Sequence, residues 1–361
     1  MTIYLNGKFT AQRTTGVQRV AAQLVRSLDA RAAGRWVLLC PPGGQLPQLR
    51  RIEARSVGPA GLPITLWEQF VLPWAARGGV LLNLAGAAPA LARLQLCLLH
   101  DAAVFDHPEA YTRRFAAWYR WLFRRVARRA LALATVSKFS RERLALALQV
   151  DPSRIALAPN GADHLDAIDP DDGVLDRHGL RGQRYLLAVG SDNPTKNHAA
   201  LLAAFARLPA EPGLRLVMVG GRHAAVFADP ADGGRYADPP GVIRTGELGD
   251  AELKSLYVHA LALVFPSLYE GFGLPPLEAM ACGCAVAASR AASLPEVCGD
   301  AALYFDPHDI GGMAEAMRRL CVDEALRATL RAAGSRHVAG CTWSASASAL
   351  LASLHLNGEL P

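Results

Sequence analysis

The sequence offers little to a membrane span, a metal or a disulfide. No apolar run reaches the about 20 uninterrupted residues that cross a bilayer as a helix, because the longest, "GVLLNLAGAAPALARLQLCLL", is broken by Pro89 and Arg93. The start, "MTIYLNGKF", sets polar residues where a secretory leader needs its apolar segment, so the expected location is the cytoplasm. Seven cysteines, an odd number, stand at 40, 97, 282, 284, 298, 321 and 341 without one Cys-x-x-Cys pair. They read as reduced, buried packing residues, not as metal ligands. Charged residues make up only 19% of the chain against 51% hydrophobic ones, which excludes a disordered protein. Gly-x-Gly-x-x-Gly is absent, and with it the dinucleotide fingerprint of a dehydrogenase.

What is there organises into two halves. At 361 residues the chain suits two cores, each of roughly 150 residues. Short runs rich in Val, Leu and Ala recur between stretches of helical periodicity, the pattern of buried parallel strands joined by helices. The strand candidates are "RWVLLC", "GVLLNL", "LQLCLL", "LALATV" and "RIALAP", then "RYLLAVG", "LRLVMVG", "GVIRTG", "LALVF" and "CAVAAS". Between the two series lies "NGADHLDAIDPDDGV", loaded with Asp, Gly and Pro, which is linker chemistry. The expected domains are therefore 1–164 and 165–340, with residues 341–361 as a helix that crosses back to the first. Charge divides the same way: 22 Lys and Arg face 9 Asp and Glu through His164, and 16 face 23 beyond it.

Polar or glycine-bearing residues follow most of the apolar runs: His100-Asp101, Ser137, Asn160-Gly161, Gly190-Ser191, Gly220-Gly221-Arg222 and Pro266-Ser267. In open parallel sheets the ligand crevice lies beyond the carboxyl ends of the strands, so these clusters are expected to line it. The densest chemistry is "SLYEGFGLPPLEAMACGCAVAAS", where Glu270 waits in a loop and Glu278 is expected in the first turn of a helix that Gly283 closes. Gly271 and Gly273 let the backbone approach a ligand, and amides at a helix start favour an anion. Carboxylates accept hydrogen bonds from vicinal hydroxyls. Acids for hydroxyls beside amides for phosphate point to a nucleotide sugar, while acids merely placed at a helix N-terminus are the plainer alternative.

That stretch, continued by "SLPEVCGDAALYFDP", resembles the signature of glycosyltransferase family 4, retaining enzymes of GT-B architecture: two Rossmann-like α/β domains facing across a cleft. Seven residues separate Glu270 from Glu278, as the family pattern requires. "TTGVQRVA", "LHDAAVFDHPEAY", "TVSKFSRERL", "APNGAD", "AVGSDNPTKN" and "GELGDAELKSLY" fall in family order as well.

The resemblance implies that Glu278 binds the ribose hydroxyls, and that Glu270 with the amides of Gly271, Phe272, Gly273 and Leu274 holds the donor sugar and its phosphate. It implies further that Lys196 meets the departing diphosphate, His100 faces the donor sugar, and Gly16 admits the distal phosphate. An arginine that many members carry shortly before the lysine is replaced here by Ser191 and Thr195, with Arg222 or Arg19 as substitutes. Leu248, with Ser137, Asn160 and Gly220, completes the expected lining. No cofactor and no metal are expected.

By the same resemblance the acceptor is a lipid-linked oligosaccharide carried on a polyprenyl diphosphate, or another glycan. "TGVQR" and "LWEQFVLP" lean toward bacterial exopolysaccharide mannosyltransferases using GDP-mannose, with UDP-sugar donors as the alternative. Seven arginines, two tryptophans and two tyrosines fall in "YTRRFAAWYRWLFRRVARRALALA", residues 111–134. This reads as a helix with Trp and Leu partly in the core and an arginine face toward an anionic membrane, which places the protein peripherally on the inner face of the cell membrane. Nucleic acid is not an expected partner, since no recognition module is present and the second half is acidic. The competing readings are a phosphorylase, an epimerase and a sugar-binding protein without turnover. Phosphorylase chemistry needs a cofactor lysine, and besides Lys196 only Lys8, Lys138 and Lys254 exist.

Overall fold

The computed structural model describes residues 1–209, 213–221 and 238–355. Its contacts divide the chain into two units: residues 1–105 and 116–161 with the C-terminal residues from Thr342, and residues 106–115 with 162–341.

The first unit is a seven-stranded parallel sheet in the order β3-β2-β1-β4-β5-β6-β7. Its strands are β1 (Thr2–Asn6), β2 (Trp36–Cys40), β3 (Glu53–Ser56), β4 (Gly79–Asn83), β5 (Gln95–Leu98), β6 (Ala132–Thr135) and β7 (Ile155–Leu157). Every residue of β2, β4, β5 and β6 is buried, as expected for central strands covered on both faces. Helix Gly16–Asp29 lays Val20, Ala21, Leu24, Val25 and Leu28 into this core. The C-terminal helix Trp343–His355 packs on it and on β6 and β7, and Arg31 donates to the Ser344 hydroxyl.

In the second unit a six-stranded parallel sheet runs β10-β9-β8-β11-β12-β13. These strands are β8 (Arg184–Val189), β9 (Leu214–Val219), β10 (Val242–Gly246), β11 (Ala262–Phe265), β12 (Ala285–Ser289) and β13 (Ala302–Phe305). Leu186, Leu201, Phe205, Leu216, Val264, Met313, Met317 and Leu320 form its main core, each worth about 1.5–3 kcal/mol of burial. In both sheets the strand order reverses once, between β1 and β4 and between β8 and β11. Such switch points are where doubly wound sheets open a crevice.

Three expectations need correction. Helix Leu274–Ala281 starts earlier than its sequence suggested, so Glu278 lies in its second turn and no acid occupies the first. Favourable placement at a helix N-terminus therefore cannot account for either glutamate. Trp118 and Trp121, expected partly in the core, are 37% and 50% exposed; Leu122, Phe123 and Val126 of helix Arg113–Arg129 fill the core. All seven cysteines are free, but Cys282 and Cys341 are only half-buried.

Candidate functional site

Two loops at the switch point of the second sheet carry the charged pair. Beyond β8, Asn193 accepts from the Thr195 amide at 3.0 Å and caps a tight turn over Pro194–Lys196. Asn197 follows in the left-handed region, at φ +58°, which asparagine tolerates better than most residues. Its side-chain amide donates to the Pro266 carbonyl at 3.2 Å and to the Pro307 carbonyl at 2.8 Å. The Leu268 amide adds a bond to the Thr195 carbonyl at 2.7 Å. The loop after β8 is thereby fastened to the loop after β11.

This fastening brings Lys196 Nζ to 2.5 Å from Glu270 Oε1. The ammonium also lies 5.4 Å from the centre of the Phe265 ring, within cation–π range. Tyr269, the residue before Glu270, is held by its hydroxyl donating to Asp106 at 2.9 Å and by an edge contact with the His107 ring at 4.9 Å. The Ser293 hydroxyl lies 2.9 Å from the carbonyls of both Glu270 and Phe272 and shares its one hydrogen between them.

Gly273 ends the loop at φ +97°, a conformation L side chains resist, and a Cβ there would sit 2.6 Å from Leu294 Cδ2. Helix Leu274–Ala281 begins immediately after it with Pro275 and Pro276. Neither proline has an N–H, so amide donors at this end are confined to Leu274 and the residues before it.

Glu278 is 3% exposed, and both of its oxygens are occupied. His164 Nε2 stands 3.1 Å from Oε1, and the Tyr257 hydroxyl donates to Oε2 at 3.1 Å. Each carboxylate oxygen offers two lone pairs and can accept more than one hydrogen bond. His164 belongs to the turn Asp163–Leu165, and Tyr257 to helix Asp250–His259. Lys254 ties that helix to the turn by donating to the carbonyls of Leu165 at 2.9 Å and Ile168 at 2.8 Å.

Ser191 and Leu248 stand half-buried in the loops after β8 and β10. Gly220 follows β9 at φ +147°, and a Cβ there would fall 1.9 Å from the Gly190 carbonyl oxygen. Arg222 lies outside the described residues.

His100 and Gly16 belong to the first unit. His100 Nε2 lies 2.9 Å from the Leu84 carbonyl, which can only accept, so this nitrogen carries the proton. Burial pushes the imidazole down to about 4, the Leu84 carbonyl offsetting only part of the effect. At neutral pH His100 is therefore uncharged and presents Nδ1 as an acceptor. A Cβ on Gly86, itself at φ +78°, would meet His100 Cδ2 at 3.5 Å and Val17 Cγ1 at 4.0 Å. Gly86 thus bridges His100 and the start of helix Gly16–Asp29. Around Gly16 a Cβ would meet nothing within 4 Å, so packing does not explain the glycine.

Sequence reasoning missed His164, Tyr257 and Ser293. Their partners are 114, 21 and 23 residues away, and no local pattern announces such pairings. Among the described residues, no group of three or more His, Cys, Asp or Glu could hold a metal ion.

Residues 14–164 match the family model described as Glycosyltransferase Family 4, and residues 176–337 match Glycosyl transferases group 1. The O-antigen chain mannosyltransferase B of Escherichia coli is 32% identical over 252 residues, which cover 68% of this chain and 65% of that protein. The serotype-specific mannosyltransferase WbdA of Escherichia coli is 38% identical over 182 residues, 48% of this chain and 22% of the relative. The chain thus spans less than two thirds of the length of either curated relative. Among solved structures, sucrose-phosphate synthase from Thermosynechococcus elongatus superposes with a TM-score of 0.76 at 22% identity over 98% of both chains, a likeness of fold.

Proposed function

Because the chain belongs to the glycosyltransferases, family 4 in its first half and group 1 in its second, we propose that it moves a mannosyl group from GDP-mannose to a glycan borne on a polyprenyl diphosphate, with retention at the anomeric carbon. The observation that carries the reading is the Lys196–Glu270 pair at the switch point, beside a buried Glu278 whose carboxylate is oriented from both sides. The mannosyltransferase names of the relatives support the sugar.

In this reading Glu278 receives the ribose hydroxyls. Lys196 turns two of its protons to the diphosphate and stabilises the charge that grows as the glycosidic bond breaks, with the Gly271–Leu274 backbone supplying further donors. A carboxylate already neutralised by an ammonium is a poor nucleophile, so Glu270 positions the sugar, and acceptor and leaving group react on one face. Neutral His100 offers Nδ1 to a sugar hydroxyl. The cationic part is met by a lysine, so no metal is required, and turnover in EDTA is expected to equal turnover without it.

We assign the acceptor's membrane to the basic helix. No helix of the described residues is long and apolar enough to cross a bilayer. Helix Arg113–Arg129 instead exposes Trp118 and Trp121, their rings 5.1 Å apart, beside exposed Arg124 and Arg128. Arg124, Arg125 and Arg128 changed to Glu should weaken binding to anionic vesicles; unchanged binding and unchanged activity on lipid acceptor would refute this assignment.

The deciding experiment combines purified protein, a panel of GDP-, UDP- and ADP-sugars and a polyprenyl-linked acceptor, and follows nucleotide release. GDP release from GDP-mannose that depends on acceptor supports the proposal. Release from a UDP-sugar alone moves the donor to glucosyl or N-acetylglucosaminyl chemistry, and tight binding without any release makes the protein a binder. Glu270→Gln at near-normal turnover supports one-face transfer; loss of turnover with donor affinity retained favours a nucleophilic carboxylate.

A further inference from the structure

The first unit presents an apolar face that its own core does not use. Residues Ile64–Ala75 form a continuous helical stretch whose middle, Trp67–Val71, is wound as a π-helix. Trp67 and Leu72 are buried against Val37, Leu39 and Leu81. On the opposite side every fourth residue is bare: Leu66 is 44% exposed, Phe70 67% and Trp74 64%.

Gln69 links this stretch to the loop before β5, donating to the Ala88 carbonyl at 3.1 Å and accepting from the Ala90 amide at 2.9 Å. That loop exposes Leu91 and Leu94. Five of the twelve large apolar side chains exposed among the described residues therefore fall in these two joined segments. Such concentration is unlike the scatter of single apolar residues that a solvated surface carries.

The exposed charges of the two segments are of one sign. Arg77 and Arg93 are exposed beside it, and the Arg77 guanidinium lies 5.8 Å from the centre of the Trp74 ring. Between Glu53 and Asp101 the sequence has one carboxylate, Glu68. It is turned inward, 3% exposed, and paired with the buried Lys8 ammonium at 2.9 Å, with Asn6 donating to the same oxygen at 3.0 Å. The one acid of these segments is thus withdrawn and neutralised.

We propose that Ile64–Ala75, with Leu91 and Leu94, is a bilayer-inserting face: Phe70 and Trp74 enter the headgroup–acyl boundary while Arg77 and Arg93 meet anionic headgroups. Apolar and aromatic side chains flanked by arginine, with no exposed acid in either segment, are the chemistry that an anionic lipid surface recognises. The proposal shares its partner with the basic helix but rests on different residues, and it needs no donor chemistry.

The test is co-sedimentation of the full chain with phosphatidylcholine vesicles, with and without phosphatidylglycerol. Phe70→Ser with Trp74→Ser removes two exposed side chains, and an unchanged thermal midpoint would show the fold intact. The double variant is expected to lose about tenfold or more in partitioning onto the anionic vesicles, and its residual binding should vanish at high salt, because only charge remains. Binding equal to the parent's would overturn the proposal, including the case in which the helix-arginine variants lose binding and this one does not. A parent that ignores vesicles but forms a dimer abolished by the double variant would overturn it too, assigning the face to a second copy.

Discussion

Replacing Glu278 by Gln separates the role of its charge from the role of its shape. The amide keeps the volume and leaves an oxygen for the Tyr257 hydroxyl, and its NH2 can donate to His164 Nε2 in the other tautomer, so the fold should survive. What disappears is the charge that strengthens each bond to a ribose hydroxyl. A charge-assisted bond contributes about 1.5–3 kcal/mol and an ordinary one about 0.5–1.5, so each hydroxyl loses about 1–1.5 kcal/mol. Two hydroxyls lose about 2–3 kcal/mol, a roughly 30- to 150-fold weaker nucleotide. Titration calorimetry with GDP and with its 2′,3′-dideoxy analogue reads this directly. The parent should prefer the ribose form strongly and Glu278→Gln only weakly. Parental affinity in the variant, or an undiminished preference for ribose, would show that Glu278 does not hold the sugar of the nucleotide.

Other perturbations reach different parts of the site. Lys196→Ala should lower kcat about 10²- to 10³-fold with a smaller change in donor KM, as when one stabiliser of developing charge is removed; an equal loss in KM alone would make Lys196 a ground-state contact. His100 takes up a proton near pH 6.5 when unfolded but only near about 4 when folded. Protonation therefore favours the unfolded chain, and stability is expected to fall by about 2–3 kcal/mol as pH drops from 6.5 toward 4, a slope that His100→Gln should flatten in urea titrations. Gly220→Ala forces a methyl to within 1.9 Å of the Gly190 carbonyl oxygen and should cost about 3 kcal/mol or more, seen as a lowered thermal midpoint of the second unit; an unchanged midpoint would mean that the two strand ends are not so closely apposed. Glu278→Ala strips two buried hydrogen bonds and should destabilise by about 1–3 kcal/mol for each, whereas Glu278→Gln should not.

Buried strands were easy to recognise because burial on both faces leaves an unbroken apolar run, and each of the ten runs singled out contains a strand. Three strands were missed. β3 is "EARS", exposed at the sheet edge and polar; β1 alternates half-buried Thr2 and Tyr4 with buried Ile3 and Leu5; β13, "ALYF", is apolar but only four residues long and half-buried in its middle. Loop chemistry after the strands was legible for the same reason that doubly wound sheets place ligands there. The pairing of Lys196 with Glu270 crosses 74 residues and depends on the β8–β11 adjacency, which strand order sets and composition does not. Helix phase was the weaker guide. Trp118 and Trp121 read as partly in the core by hydrophobicity, yet Leu122, Phe123 and Val126 already fill that space.

Asn197 restricts how this protein can be re-engineered. Its one amide ties buried carbonyls that follow two strands, β11 and β13, to the segment after β8, while its own backbone needs a residue at ease with positive φ. A graft that exchanges the segment after β8 without this residue strands two desolvated acceptors and loosens the lysine's footing at once. Transplants between relatives should succeed when segments 191–197, 266–273 and 306–308 travel as one cassette.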